Sequence, residues 1–192
     1  MSTDLPLPAE DFAPSGPAGP PAESLFAAAL RLARANPYGF LTTYDGLRPH
    51  TRLVEHLGVG EDGSLHIGTS PRSRKAADVA RQPRVTYAVE DRGAAAYAVL
   101  EAEAHVEDGL QERLAHWKDD FRAFFPDGPE GDDYVVLRLC PDRIELMDFT
   151  HQVHPAPFGL VPAVIERDAA GWRRVPAARR AGPPGGGGRL SA

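Results

Sequence analysis

The stretch GSLHIGTSPRSRKAADVARQPRVTYAVED, residues 63–91, places two strand patterns on either side of a short helix pattern. The apolar run 64–69 ends in Thr-Ser-Pro, and residues 73–82 then follow helical spacing until Pro83 ends the pattern. A second strand pattern, 84–90, follows at once. Whether this unit belongs to a parallel or an antiparallel sheet depends on how the neighbouring strands connect.

Hairpin signals occur on the N-terminal side of this stretch. Asp45-Gly46 and Asp62-Gly63 separate short apolar runs, as tight turns between antiparallel strands do. We therefore predict a mainly β fold, an antiparallel sheet or barrel with accessory helices, instead of a doubly wound parallel sheet. The predicted helices are 23–36, 73–82 and 110–125, and the predicted strands are 39–44, 51–59, 64–69, 84–90, 95–108, 134–140 and 143–149, with a last hairpin around 168–171.

The two ends of the chain differ from its middle in composition. Residues 1–22 are rich in Pro, Ala and Gly, and residues 177–192 contain the run PPGGGG. We expect both to be flexible tails around one domain, residues 23–176. The single cysteine, Cys140, excludes an internal disulfide. We see neither a secretory signal nor an apolar run near the roughly 18 residues of a membrane span, so we expect a cytoplasmic protein.

Positive charge is concentrated at the start of the predicted helix 73–82. Arg72, Arg74 and Lys75 lie within four positions, although the formal net charge of the chain is −6. This acidic balance argues against nucleic acid or an anionic membrane as a partner. A helix N-terminus flanked by arginine suits a small phosphate-bearing ligand, and the alternative is a solvated basic helix end, with or without pairing to nearby acids. The glycines of a Walker loop are missing.

A further cation cluster precedes this helix by one hairpin. In RPHTRLVE, residues 48–55, the side chains of Arg48, His50 and Arg52 point to one face if the strand is regular. The following hairpin would then bring Arg52 beside the loop 69–75. We expect Arg52 to add to the same phosphate site.

Four segments together resemble a known family. FLTTYDGLRPHTRLV, GSLHIGTSPRSRKAADVARQPRVTYAVED, YAVLEAEAHVED and FFPDGPEGDDYVVLRLCPDRIELMD are similar, in that order, to the pyridoxamine 5'-phosphate oxidase-like proteins, and most similar to their bacterial general-stress-protein branch. The resemblance covers roughly residues 25–149. It implies an FMN-binding antiparallel split β-barrel that forms a homodimer, with the cofactor in clefts between the two subunits.

The resemblance also implies which residues bind the cofactor. The strand arginine of the family corresponds to Arg52, its strand-end threonine to Thr69, and its Ser-Arg-Lys to the residues at 73–75. The residues expected to hold the FMN phosphate are Arg52, Ser73, Arg74 and Lys75, and those whose backbone would meet the ribityl chain and ring are Leu53, Val54, Gly68 and Thr69.

Other positions depart from the oxidase pattern. Glu55, His56 and Leu57 stand where the oxidase has apolar residues and a lysine that binds substrate phosphate, and no Arg-x-His motif follows Phe149. Ala102 and Met147 replace a usual glycine and tryptophan. We therefore expect an activity other than pyridoxamine phosphate oxidation.

The resemblance supports an FMN-dependent oxidoreductase of unknown substrate, in which no side chain is assigned as a catalytic acid or base. One alternative is a non-enzymatic stress protein that binds flavin or another phosphate-bearing ligand. Another keeps the enzyme and replaces FMN with a deazaflavin or haem. His50, His56 and His66 would line such a pocket or ligate haem, or else form buried hydrogen bonds.

The histidines after the predicted strand 143–149, the last hairpin and the aromatic residues at 117–125 are not predicted to bind the cofactor of their own subunit. His151 and His154 have the spacing of a metal pair but no further ligand, so no metal site is predicted. Trp172 or Arg173 on the last hairpin would reach the site of a partner subunit. Aromatic residues in the predicted helix 110–125 are expected to pack on the barrel: Trp117, Phe121, Phe124 and Phe125.

Overall fold

The computed structural model describes residues 19–151, 153 and 161–176, and in these residues nine strands form one sheet in which every pairing is antiparallel. This confirms the predicted mainly β, antiparallel fold. In chain order the elements are α1 (Ala22–Ala35), β1 (Tyr38–Tyr44), β2 (Pro49–Glu55), β3 (Gly58–Val59), β4 (Leu65–Thr69), α2 (Arg74–Arg81), β5 (Arg84–Asp91), β6 (Ala96–Glu107), α3 (Leu110–Ala115), a 3-10 helix (Asp119–Ala123), β7 (Val135–Asp148), β8 (Ala163–Asp168) and β9 (Gly171–Val175).

The sheet closes into a barrel because two consecutive strands lie at its opposite ends. The strand order is β2-β1-β5-β6-β7-β4-β3, and only His56 and Leu57 join β2 to β3. The N–H of His56 donates to the carbonyl of Pro37 (2.8 Å), and that of Leu57 donates to the carbonyl of His66 (2.7 Å). The predicted single strand 51–59 is thus two strands that change partners within two residues, which leaves less exposed sheet edge.

A single long strand, β7, replaces the two strands that the sequence predicted on either side of Pro141-Asp142. Ala102 of β6 lies opposite Pro141, whereas Glu101 lies opposite Arg143, so Asp142 is the extra residue of a β-bulge. Proline is tolerated at such irregular positions because its missing N–H is not needed there. The first half of β7 also pairs with β4 and the second half with β8.

The predicted helix 110–125 is wrong beyond its first turns. α3 ends at Ala115, and a separate 3-10 helix follows after a turn. The hydroxyl of Tyr134 donates to the carbonyl of His116 at 2.9 Å, a carbonyl that a continuing α-helix would use for residue 120. The ring of Trp117 packs edge-on against Tyr134 at 5.2 Å, so tertiary contacts override the helical pattern here.

α1 buries its apolar side against the barrel, as predicted, although it begins at Ala22, inside the predicted tail. The predicted last hairpin is confirmed as β8–β9, and its Trp172 stacks on Phe26 of α1 with ring centroids 4.9 Å apart. The predicted tails otherwise lie outside the described residues, at 1–18 and 177–192. No helix in the described part of the chain has both the length and the apolar character to cross a membrane.

Candidate functional site

A pocket of about 390 Å³ lies between β2, β4, the start of α2 and the segment that follows α3. Six of the eight residues predicted to bind a cofactor line it, and they come from three separate elements or their ends. They are Leu53, Val54, Gly68, Thr69, Ser73 and Lys75, whereas Arg52 and Arg74 do not line it. The chain therefore folds so that residues distant in sequence meet at one concave surface, as ligand sites commonly require.

The turn between β4 and α2 orients the hydroxyl groups of this site. Ser73 is the N-cap of α2, and its Oγ accepts a hydrogen bond from the N–H of Ala76 (3.3 Å). The buried hydroxyl of Thr69 donates to the same Oγ at 3.1 Å. The N–H of Ser73 donates to the carbonyl of Ser70 (3.0 Å) and the N–H of Arg72 to the Oγ of Ser70 (3.2 Å), and these two bonds close the turn. The helix N-terminus thus faces the pocket with its polar groups ordered.

Arg52 lies next to this turn with one nitrogen unpaired. Its Nη1 donates to the carbonyl of Leu41 (3.1 Å) and to Oγ1 of Thr43 (2.9 Å). Its Nη2 is buried without a hydrogen-bond partner and lies 4.0 Å from the carboxylate of Asp78. Burial lowers the pKa of Arg52, and repulsion from Arg74 lowers it further. A buried guanidinium nitrogen without an acceptor is costly unless a ligand supplies one.

The buried carboxylate of Asp78 lies 4.0 Å from Nη2 of Arg52. Asp78 of α2 is 3% exposed and accepts a hydrogen bond from Oγ1 of Thr43 (2.7 Å), and Nδ1 of His50 lies 3.1 Å from it. Burial raises the pKa of Asp78, but these hydrogen bonds and the charge of Arg52 outweigh burial and hold the pKa below its usual value. The shared contact of His50 and Arg52 with one carboxylate supports their predicted common face.

The other cations of the cluster lack acidic partners. Within the described part of the chain, the side chains of Arg72, Arg74 and Lys75 form no ion pair and no hydrogen bond. Burial lowers the pKa of Lys75, and the nearby charge of Arg52 adds to this effect. Nearby acids among the described residues therefore do not neutralise the basic helix end. The alternative interpretation, a solvated helix end, is not tested by this, since Arg72 and Arg74 are exposed.

The opposite wall of the pocket is aromatic, and the sequence interpretation missed it. Phe121, Phe124 and Phe125 line the pocket instead of forming one face of a helix on the barrel. A Cβ atom on Gly68 would lie 2.8 Å from the ring of Tyr134 and 3.1 Å from that of Phe121. The glycine thus allows the aromatic segment to pack directly on β4. The run of three phenylalanines within five residues was the available signal.

An ion pair stands at the edge of this aromatic wall. Nζ of Lys118 donates to Oε1 of Glu55 at 2.6 Å, and Glu55 itself lines the pocket. Both side chains are about one-third exposed, at 39% and 32%. The sequence analysis noted Glu55 as a departure from the oxidase pattern, but its partner 63 residues away was not predictable from local pattern.

The three histidines near the site have other contacts. His50 contacts Asp78, as above, and His56 Nδ1 lies 2.8 Å from the hydroxyl of buried Tyr87. The ring of His66 stacks on that of His116 with centroids 3.9 Å apart. None of the three lines the pocket.

Among the described residues no three potential metal ligands cluster. His151 contacts Asp148 at 2.7 Å, whereas His154 lies outside the described residues.

An apolar surface adjoins the pocket. Tyr38, Phe40 and Leu53 on β1 and β2 are 58%, 49% and 59% exposed, and they border a second hollow of about 290 Å³. Leu53 lines both hollows. Soluble monomers rarely leave such neighbouring large apolar side chains uncovered, so this surface is a candidate interface.

Comparison with known proteins places this fold. A sequence model of the family described as "Pyridoxamine 5'-phosphate oxidase like" matches residues 30–169. The chain has no match among curated proteins. A pyridoxamine 5'-phosphate oxidase-related, FMN binding protein from Nostoc punctiforme has a similar structure, with a TM-score of 0.62 and 20% identity over 84% of this chain and 98% of that one.

Two further solved structures share the fold. General Stress Protein 26 from Bacillus anthracis matches with a TM-score of 0.55 and 21% identity, over 63% of this chain and 92% of that one. PhzG from Burkholderia lata, solved with tetrahydrophenazine-1-carboxylic acid, matches with a TM-score of 0.61 and 16% identity, over 86% of this chain and 97% of that one. At these identities the similarity establishes the shared fold alone.

Proposed function

The chain belongs to the pyridoxamine 5'-phosphate oxidase-like family, and we propose that its pocket binds FMN in a flavin-dependent oxidoreductase of still unassigned substrate. One observation carries the proposal: Lys75, which lines the pocket, and its neighbour Arg74 have no acidic partner among the described residues, and a buried nitrogen of Arg52 near them has no hydrogen-bond acceptor. A phosphate dianion at the start of α2 would supply the missing negative charge.

The residues present fit FMN at both of its ends. Arg52, Ser73, Arg74 and Lys75 would hold the phosphate, because arginine, lysine and a helix N-terminus all favour it. The backbone at Leu53, Val54, Gly68 and Thr69 would follow the ribityl chain and ring. The volume of about 390 Å³ lies within the range of cofactor pockets.

When bound, FMN would supply hydride or single-electron transfer, and the protein would supply binding and orientation. Asp78 would keep Arg52 directed at the phosphate through its charge and through Thr43, which contacts both residues. The aromatic wall would exclude water from the ring end of the pocket. Glu55 and Lys118, at the edge of that wall, would set the charge that a substrate meets there.

A titration of the purified protein with FMN, followed by flavin absorbance and fluorescence, tests this proposal. We expect the double variant Arg74→Ala/Lys75→Ala to raise the Kd for FMN by at least about a hundredfold, since each charge-assisted hydrogen bond contributes roughly 1.5–3 kcal/mol. It should change the Kd for riboflavin, which lacks the phosphate, much less.

The matched control is Arg31→Ala/Arg92→Ala, which removes two exposed arginines outside the pocket. It should retain the wild-type Kd. Equal losses in the two double variants, or no binding of FMN by the wild type, would overturn the proposal. A haem or deazaflavin in place of FMN would show a different visible spectrum. Anaerobic reduction of the bound flavin by a nicotinamide donor would separate an enzyme from a flavin-storage protein.

The same proposal includes a homodimer with the cofactor cleft between subunits. It is supported by the exposed apolar surface of β1 and β2, which shares Leu53 with the pocket. We expect Phe40→Lys to shift the mass measured by light scattering from dimer to monomer and to weaken FMN binding. Leu114→Lys, which changes an exposed leucine on α3, is the control. A wild-type monomer that binds FMN tightly would contradict the dimer.

A further inference from the structure

From its position and exposure we infer that Phe124 is a ligand-binding residue, whose ring packs on the flat ring system of the molecule held by its phosphate at the start of α2. This inference rests on the proposed function and extends it to the opposite end of the pocket. Phe124 is 77% exposed and lines the pocket together with Leu53, which is 59% exposed. No feature of the phosphate site requires an aromatic residue there.

In the described part of the chain, two of the three phenylalanines in the aromatic wall pack against other rings, and the third does not. Phe121 and Phe125 pack against Tyr134, with ring centroids 6.0 and 5.0 Å away, and against each other at 6.0 Å. Phe124 makes no ring contact among the described residues. An exposed phenylalanine gains nothing from solvent, whereas covering it with an apolar ring is favourable.

The segment that carries Phe124 is held in place before any ligand binds. The N–H groups of Phe124 and Phe125 both donate to the carbonyl of Phe121, at 2.9 and 2.8 Å. The Lys118–Glu55 ion pair ties the start of the segment to the end of β2. Because the backbone is fixed at both points, binding would order little beyond one side chain, which keeps the entropic cost of binding low.

The two ends of the pocket have complementary chemistry. The part at α2 presents Lys75 and the hydroxyl-bearing residues Thr69, Ser70 and Ser73. The part at the aromatic wall presents Leu53, Leu57 and phenylalanine rings. A molecule with an anionic group at one end and a flat apolar ring at the other matches both. A free phosphate or sugar phosphate would leave Phe124 uncovered, and a purely apolar molecule would leave the cations unpaired.

Ligand fragments separate the two ends experimentally. We expect Phe124→Ala to raise the Kd for FMN and for riboflavin by about the same factor, roughly tenfold, while the inhibition constant of inorganic phosphate against FMN stays unchanged. Arg74→Ala/Lys75→Ala should show the opposite pattern, with a large effect on FMN and phosphate and a small one on riboflavin. Leu114→Ala, another exposed apolar side chain, is the control.

A gain-of-signal variant gives an independent readout of contact. Phe124→Trp should bind FMN about as tightly as the wild type and should quench the fluorescence of the bound flavin more strongly, since an indole ring in contact transfers an electron to the excited flavin. Suppose that the wild type binds FMN, that Phe124→Ala leaves the Kd unchanged and that Phe124→Trp adds no quenching. This result would overturn the inference about Phe124 and would leave the proposed function intact.

Two other outcomes are also informative. A Phe124→Ala protein that becomes monomeric and loses FMN only for that reason would show that a partner subunit covers the ring, and this would overturn the inference. If the wild type binds neither FMN nor riboflavin, both this inference and the proposed function fail. Because Phe124 is largely exposed, the substitution should not unfold the protein, and the urea midpoint checks this.

Discussion

Lowering the pH should destabilise this protein, and His66 of β4 should contribute much of that loss, although burial also lowers the pKa of His56 and of His116. The ring of His66 stacks on His116 at 3.9 Å with an angle of 19° between the planes. Burial, aided by repulsion from His116 and Arg138, lowers the pKa of His66 to about 4, although Asp62 opposes this shift. In the unfolded chain the pKa returns to about 6.5, so the two states bind protons at different pH values.

The sign and the size of the effect follow from these two values. As the pH falls below about 6.5, the unfolded state binds the proton first, so stability is full above that pH and is lost between 6.5 and 4. At pH 4.5 the loss relative to pH 7 amounts to about 2 kcal/mol for this group. Below pH 4 both states are protonated and the contribution of His66 stops changing.

Urea unfolding at pH 7.0 and pH 4.5, followed by tryptophan fluorescence, measures this loss. Carboxylates also titrate in this range, so the comparison is with His66→Phe, which keeps an aromatic ring against His116 but cannot be protonated. The variant should lose about 2 kcal/mol less than the wild type between the two pH values. His105→Phe, at an exposed histidine, should behave as the wild type does. Equal pH dependence of His66→Phe and wild type would refute the reasoning.

Three further substitutions test the packing around the site by their effect on the free energy of unfolding in urea. Gly39→Ala should cost about 2 kcal/mol or more, because its Cβ would lie 2.3 Å from the ring of Tyr87, whereas Gly58→Ala, with no atom within 4 Å, should be near neutral. Tyr87→Phe should cost about 1–2 kcal/mol by removing the partner of the buried His56 ring, and an unchanged midpoint would contradict that role. Asp78→Asn should cost about 2 kcal/mol by removing a buried charge next to a guanidinium, and a cost below about 0.5 kcal/mol would contradict the charge pairing.

Local pattern was sufficient for most elements of the fold. Helix α1, the short helix α2 and the hairpin at residues 168–171 all follow from periodicity, helix-ending residues and turn residues, which act within a few positions. The closure of the barrel does not follow from local pattern. It depends on a change of hydrogen-bond partners at His56 and Leu57, and the partner of Leu57 is a strand whose position only the whole fold determines.

The site divides in the same way. The basic start of α2 was predictable because Arg72, Arg74 and Lys75 lie within four positions next to a helix start. The aromatic end of the site was not, since Phe121 and Phe124 fit a helical spacing that the structure does not adopt. The contacts that displace the helix come from Tyr134, after α3 and the 3-10 helix. Its hydrogen bond to the carbonyl of His116 spans 18 positions, so a window of ten to fifteen residues could not contain this cause.

The cations at the start of α2 and the neighbouring Arg52 repel one another in the free protein. Burial and the charge of Arg74 lower the pKa of Arg52, and burial and the charge of Arg52 lower the pKa of Lys75. Asp78 is the carboxylate that partly offsets the shift of Arg52. An unliganded site of this kind stores repulsion that a phosphate dianion would relieve. A ligand that binds only the folded state raises the free energy of unfolding. The cation cluster lowers the stability of the free protein, and binding of FMN there would offset this loss.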